Sequence, residues 1–243
     1  MKENKILLVT GASSDMGCDL IRRVAANYRT VIAHYAHWNE KLEELQNALG
    51  DKFVGMQADF SDEEETKRFA AQLKAQYPVI DHFAHFPAKR ISHKKFAKSS
   101  WEDFEAEIQI SLRSFVEVAK VVLPAQAKQK YGKVLVMLSS CTVGTAPKYL
   151  SAYTSIKYAM LGLIKSLASE YADKMITVNG ISPDMTETKF LADVASLIAE
   201  NNAATSPIGR NLNLDDVIPM AAFLLSDAAD AVTGQNFAIT GGR

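Results

Sequence analysis

The first turn of the chain sets the strongest limit on its fold. Lys5-Ile-Leu-Leu-Val-Thr10 is an unbroken apolar run of strand length, Gly11-Ala-Ser-Ser-Asp-Met-Gly17 follows without a spacer, and a helical pattern then runs through Leu20, Ile21, Val24 and Ala25. A run that is apolar at every position suits a strand covered on both faces, as in a parallel α/β sheet. The glycine turn leaves backbone N–H groups free at a helix start, where the helix dipole favours an anion. This order predicts a phosphate site at the turn, with Gly11, Ser13, Ser14, Met16 and Gly17 as its candidate residues.

The alternation continues down the chain. Thr30–Tyr35, Phe53–Gln57, Val79–Ala84, Val134–Leu138, Met175–Ile181 and Gly234–Thr240 read as further strands. Between them lies a helix capped by Asn39, carrying Leu42, Leu45 and Leu49 and closed by Gly50. Ser61 with Glu64 suggests a capping box for the next helix, to about Tyr77. Trp101–Gln129 reads as one long helix with a possible kink at Pro124, followed by Ser151–Tyr171 and Leu214–Ser226. Strands alternating with helices predict an α/β fold, a doubly wound parallel sheet of about seven strands with helices on both faces. Residues 1–243 are expected to form one domain, since no repeat, low-complexity tract or linker interrupts them. The stretch 184–211, rich in Ala and Asn, is expected to be a substrate flap whose few polar groups include Lys189 and Asp193.

Composition removes several classes of function. The net charge is −1 with both signs interspersed, so no nucleic-acid or membrane-surface partner is expected. The longest apolar runs are too short to span a bilayer. Cys18 and Cys141, with no signal sequence, read as reduced thiols in a cytoplasmic protein. The five histidines form no ligand-spaced cluster, so no metal is expected, and His82 and His85 should face opposite sides of a strand.

Chemistry is concentrated further on. Val134-Leu-Val-Met-Leu138 ends in Ser139-Ser140, and Tyr153 and Lys157 lie one helical turn apart on the next helix. An ammonium beside a phenol favours the phenolate and lowers its pKa, and a tyrosine so tuned can exchange a proton with a substrate oxygen. A serine hydroxyl at the strand end can polarise the same oxygen. The spacing of Tyr153 and Lys157 alone is equally that of a solvated pair on any helix.

With these pieces in register, the sequence resembles the short-chain dehydrogenase/reductase family, and within it the 3-oxoacyl-acyl-carrier-protein reductases. The resemblance rests on Thr10-Gly11 … Gly17, Asp59, Ser140, Tyr153/Lys157, Ile176-Thr-Val-Asn179, Pro183 … Thr188, Pro207-Ile-Gly-Arg210 and Thr233-Gly-Gln … Gly241-Gly242. It implies a Rossmann-type fold, a nicotinamide cofactor, a small-molecule or carrier-protein-bound carbonyl substrate, and a homotetramer or homodimer. It assigns catalysis to Ser140, Tyr153 and Lys157. Tyr153 would give its proton to the carbonyl oxygen, Lys157 would lower the pKa of Tyr153 and hold the nicotinamide ribose, and Ser140 would orient the carbonyl. Asp59, flanked by Phe60, would contact the adenine. Pro183, Thr186 and Thr188 would lie along the cofactor, with Thr188 near the carboxamide.

Four positions depart from the family pattern. The middle glycine of the turn is Asp15, which either repels the pyrophosphate or caps the helix and points away. The Asn-Asn-Ala-Gly motif is His85-Phe86-Pro87-Ala88, where His85 either replaces the asparagine's hydrogen bonds or is a packed strand residue. The helix asparagine of the proton relay aligns with Ser111, and the Pro-Gly after the sixth strand is Pro183-Asp184. The end of the second strand carries Ala36 where NAD enzymes place an acid, and His37, Ser13, Ser14 and Asn39 offer donors, so NADPH is expected over NADH. Lys89, Arg90, Lys94, Lys95 and Lys98 make a basic run that would either receive an acidic carrier or be a solvated loop.

Overall fold

Every strand of this protein lies parallel to its neighbours in one seven-stranded sheet, in the spatial order β3-β2-β1-β4-β5-β6-β7. The computed structural model describes residues 4–192 and 194–243, so Asp193 lies outside the described residues. In chain order the elements are β1 (Ile6–Thr10), α1 (Asp15–Val24), β2 (Thr30–Tyr35), α2 (Glu40–Leu49), β3 (Phe53–Gln57), α3 (Glu63–Gln76), β4 (His82–His85) and α4 (Trp101–Glu107). They continue with α5 (Ser114–Gln129), β5 (Gly132–Met137), α6 (Ser151–Tyr171), β6 (Ile176–Pro183), α7 (Ser196–Thr205), α8 (Leu214–Leu224) and β7 (Asn236–Ile239). This is the expected doubly wound Rossmann-type sheet. Strand order reverses between β1 and β4, which opens the ligand crevice at their carboxyl ends.

The uniform apolarity of the strands has a direct cause. Leu7 and Val9 of β1 enter one core with Leu20, Ile21 and Val24 of α1 and Val217, Ile218 and Ala221 of α8. Ile6 and Leu8 point the other way, to Phe69 and Leu73 of α3, Phe115 and Val118 of α5, and Met160 and Ile164 of α6. Successive side chains alternate faces, and both faces are covered by helices, so no position is left for water.

Several boundaries differ from the sequence reading. β4 begins at His82, not Val79, because its ladder with β1 pairs Leu7 with His82 and Thr10 with His85. The cap of α3 is Asp62, whose side chain accepts from the Glu65 N–H; Ser61 is not the cap, because its hydroxyl and N–H both donate to Asp59. The helix expected across residues 101–129 contains a widened π turn, Ile108–Arg113, between α4 and α5. The stretch 184–211 is not wholly irregular: it holds a short 3-10 turn at Lys189–Leu191 and the helix α7.

Candidate active site

The glycine turn is built as a seat for a close-approaching group. Gly11 has φ +71, a backbone that favours glycine, and a Cβ there would come within 3.0 Å of the Pro87 nitrogen. A Cβ on Gly17 would lie 2.6 Å from the Gly11 carbonyl oxygen, so the turn and the start of α1 touch backbone to backbone. Ser14 caps α1: its Oγ accepts from the Gly17 N–H and donates to the Gly11 carbonyl at 2.7 Å. Asn39 ties the turn to α2 by donating to the Ser13 carbonyl at 2.9 Å. Met16 packs its side chain against the core beneath.

A buried histidine, unassigned by the sequence reading, supports this turn from below. His34 Nδ1 accepts the Gly11 N–H at 3.1 Å, and His34 Nε2 lies 3.0 Å from the Ala58 carbonyl. A backbone N–H can only donate and a carbonyl can only accept, so the proton must sit on Nε2. Burial pushes the ring's pKa down to about 3, which keeps it neutral. His34 stacks on Phe60 at 3.8 Å, and this corrects the reading of Phe60: its ring is 3% exposed and covered by His34, so it is a core residue and not an adenine contact. Asp59 is exposed at the end of β3 with its carboxyl held low by the Ser61 N–H and hydroxyl, and His37 is exposed beyond β2.

Asp15 also differs from expectation. It is not the cap, which is Ser14, and its carboxylate does not point away. One oxygen pairs with Lys41 of α2, and the other accepts the backbone N–H of Lys189, 174 residues on, at 2.6 Å.

The catalytic candidates converge past the end of β5. Tyr153 is 8% exposed and Lys157 2% exposed, both on the first turns of α6. Lys157 Nζ donates to the carbonyl of Met137, the last residue of β5, at 2.8 Å and lies 5.6 Å from the centre of the Tyr153 ring. Burial brings the Lys157 pKa down to about 8. The expected lowering of Tyr153 is not what dominates: burial pushes its phenol above the usual value, and a hydrogen bond with Ser139 acts against that rise. The reason is that Lys157 spends its hydrogen bond on the strand end and is itself poorly solvated. Ser140 begins a short 3-10 turn, and its hydroxyl donates to Asp184 at 3.3 Å. The unexpected carboxylate after β6 therefore touches the serine directly, and it also pairs with Arg243 at 3.4 Å.

The proton-relay position is altered in a specific way. Ser111 is fully buried in the π turn, and its backbone carbonyl lies 3.0 Å from His85 Nε2. His85 Nδ1 meets Thr10 Oγ1 at 2.8 Å, so His85 is both packed in β4 and hydrogen-bonded at each nitrogen. Its side faces away from that of His82, which meets Tyr28 and Tyr131.

Glu107 was not singled out in the sequence. It is 6% exposed at the end of α4, lines a small cleft with Tyr153, Leu150, Lys94 and Asp103, and burial raises its pKa to about 7, against the nearby charges of Lys157 and Lys89. A signal existed: Glu107 falls three residues after Phe104 and four before Ser111, on the inward stripe. Lys94 is held by an ion pair with Asp103 and is not offered outward as a lone charge.

Segment 184–211 closes the site from the other side. Pro183 ends β6, Thr186 is buried with its hydroxyl donating to the Asp184 carbonyl, and Thr188 donates weakly to the Thr186 carbonyl at 3.3 Å. Phe190 packs against the cluster of Cys141, Leu150 and Tyr153. Among the described residues no group of three or more His, Cys, Asp or Glu is placed to hold a metal, and no helix is long and apolar enough to cross a membrane. A second cavity, walled by Lys5, Arg29, Asp81 and Gln129, contains none of the catalytic candidates.

A seven-stranded parallel sheet with a glycine turn after β1 and a Ser–Tyr–Lys set past β5 is the architecture of a nicotinamide-dependent oxidoreductase. Comparison with known proteins agrees. The family model described as enoyl-(acyl carrier protein) reductase matches residues 11–243. Nodulation protein G of Azospirillum brasilense is 30% identical, over 98% of this chain and 97% of its own length. The 3-oxoacyl-[acyl-carrier-protein] reductase FabG of Escherichia coli is 27% identical, over 99% and 97%. In fold, a protein from Beutenbergia cavernae solved with NADP at low occupancy superimposes with a TM-score of 0.89, at 24% identity over 99% of this chain and 97% of that one. The chain belongs to the short-chain dehydrogenase/reductase family and is an NAD(P)-dependent oxidoreductase by that membership. The residues present fit the dinucleotide at the glycine turn, where side chains at Gly11 and Gly17 would collide with backbone.

Proposed function

We propose that this protein reduces a carbonyl with NADPH as hydride donor and Tyr153 as proton donor. The observation that carries this reading is the convergence past one strand end. Lys157 is bonded to the Met137 carbonyl, the Tyr153 ring lies 5.6 Å from its ammonium, and Ser140 follows on the next turn. When bound, the nicotinamide supplies the hydride. Tyr153 supplies the proton: a phenol whose pKa is raised stays protonated at neutral pH, which suits it to act as an acid and favours reduction over oxidation. Ser140, held by Asp184, and Ser139, bonded to Tyr153, orient the two oxygens that share that proton. Ser111, buried beside His85, belongs to the shell behind Lys157.

Gly11, Ser13, Ser14, Met16 and Gly17 would hold the phosphates, Asp59 the adenine, Lys157 the nicotinamide ribose, and Pro183, Thr186 and Thr188 the nicotinamide side. NADPH is favoured over NADH because Ala36 and His37 place no carboxylate after β2, while Lys41 brings a positive charge to the same edge. The substrate class suggested by the acyl-carrier relatives is a 3-oxoacyl thioester, free or carrier-bound, with 184–211 as its cover and residues 1–243 acting as one reductase domain. The exposed side chains of Trp101 and Tyr158, on α4 and α6, mark the helices that would pair subunits in a homodimer or homotetramer.

The test is NADPH oxidation against a small panel of 3-oxoacyl thioesters and simple ketones, with calorimetry alongside. Tyr153→Phe should lower turnover by about 10² to 10⁴ while leaving NADPH binding intact. Unchanged turnover in that variant would overturn the assignment. A second reading, a dinucleotide-binding relative with impaired catalysis, is favoured by the carboxylate at Asp15; it predicts NADPH binding without turnover on any member of the panel.

A further inference from the structure

Asp15 stands where the family turn carries a glycine, and its side chain is 9% exposed although it sits on the first residue of a helix. An acid placed there only to complement the helix dipole would remain in water. This one reaches across the crevice. Its two oxygens take the Lys41 ammonium from α2 and the Lys189 N–H from the stretch after β6. Three segments far apart in sequence are joined through a single carboxylate: the glycine turn, the edge beyond β2, and the 3-10 turn Lys189–Leu191. A cationic side chain and a free backbone N–H at a helix N-terminus are the partners that a phosphate group would use.

We infer that Asp15 is an internal anion occupying part of the dinucleotide's phosphate seat, and that it latches residues 189–191 onto the glycine turn until a dinucleotide displaces it. The inference rests on the reading of this turn as the dinucleotide site. Displacement frees Lys41 and the Lys189 N–H to meet the incoming phosphates, so the same groups serve both states. The carboxylate lowers affinity twice, by filling the seat and by adding a negative charge to it. The dinucleotide must therefore break two charge-assisted contacts before it makes its own, and affinity is set by a difference between two sets of bonds.

The experiment uses the full chain, wild type against Asp15→Gly and Asp15→Asn, with two readouts. Calorimetry measures NADPH and NADH binding; amide hydrogen exchange without dinucleotide measures protection at Lys189. Asp15→Asn keeps the shape of the side chain and guards against a folding defect in the glycine variant, and circular dichroism checks both. The expected result is about tenfold or more tighter NADPH binding in Asp15→Gly, a smaller gain in Asp15→Asn, and faster exchange of the Lys189 amide in both. Equal or weaker binding in Asp15→Gly and Asp15→Asn, or unchanged exchange at Lys189, overturns the latch. If neither wild type nor either variant binds NADPH or NADH while the Lys189 amide still exchanges faster, the dinucleotide reading itself has failed and the phosphate role of Asp15 goes with it.

Discussion

Three buried imidazoles make this fold sensitive to acid, and the size of the effect can be worked out. His34, His82 and His85 are each 3% exposed or less, and burial is the largest cause pushing each pKa down to about 3. In the unfolded chain a histidine titrates near 6.5. The folded state thus refuses protons that the unfolded state accepts, so the stability these rings contribute is fully present above pH 6.5 and is lost as pH falls towards 3. Each ring costs about 1.4 kcal/mol for every pH unit below 6.5. Glu107 works in the opposite direction, because its raised pKa of about 7 favours the folded state as the carboxyl protonates between pH 7 and its unfolded value. Three groups outweigh one. Between pH 7 and pH 4.5 the histidines cost about 8 kcal/mol and Glu107 returns about 3, a net loss of about 5 kcal/mol. That is comparable to the whole stability of many domains. Urea titrations at fixed protein concentration from pH 8 to pH 4.5 should show the midpoint falling steeply below pH 6.5. His85→Asn removes one titrating ring, and although it also sacrifices the bonds to Thr10 and Ser111 and lowers stability throughout, it should cut the net loss across the same window from about 5 to about 2 kcal/mol. A pH profile that is flat from 7 to 4.5, or one whose steepness is unaltered in His85→Asn, would refute the argument.

Two further substitutions separate electrostatics from packing. Glu107→Gln should leave stability near the wild-type value at pH 5 and raise it progressively towards pH 8.5, by up to about 3 kcal/mol, because the cost of a buried carboxylate is present only when it is ionised; a gap that is constant with pH in urea titrations would show that Lys157 and Lys89 fully compensate the charge. Phe115 is fully buried and stacks on Phe83 with ring centres 6.0 Å apart, so Phe115→Ala should cost about 3–5 kcal/mol, read as a lower urea midpoint at pH 7.5.

The sheet was legible because its strands are buried on both faces and so read as continuous apolar runs; β2 and β3 fall at their expected residues. Where polar residues are buried the reading slipped. Val79 and Ile80 look more strand-like than His82 and His85, yet the ladder with β1 runs through the histidines, whose bonds to Tyr28, Thr10 and Ser111 no local pattern encodes. Ser61 looked like a cap because serine often is one, but Asp59, two residues earlier, captures its hydroxyl. In the site, Ser140, Tyr153 and Lys157 were visible from spacing. Asp15 was visible as a departure, but its partner Lys189 lies on an element no local rule connects to it. The direction of the Tyr153 shift was missed because an i,i+4 neighbour is a local fact, whereas burial and the competing Met137 carbonyl are tertiary ones.

The π turn at Ile108–Arg113 has a consequence for how the length of this chain can vary. A widened turn of this kind is one residue more than an α-helix needs, absorbed locally. Deleting a residue anywhere else between Trp101 and Gln129 would rotate all that follows by about 100°, carrying Phe115, Val118 and Val122 out of the core. Deleting one inside the π turn would let the helix close to regular α geometry with both flanking stripes still facing inward. Relatives one residue shorter should therefore have lost it here, and in them the carbonyl that now meets His85 would be returned to the helix ladder.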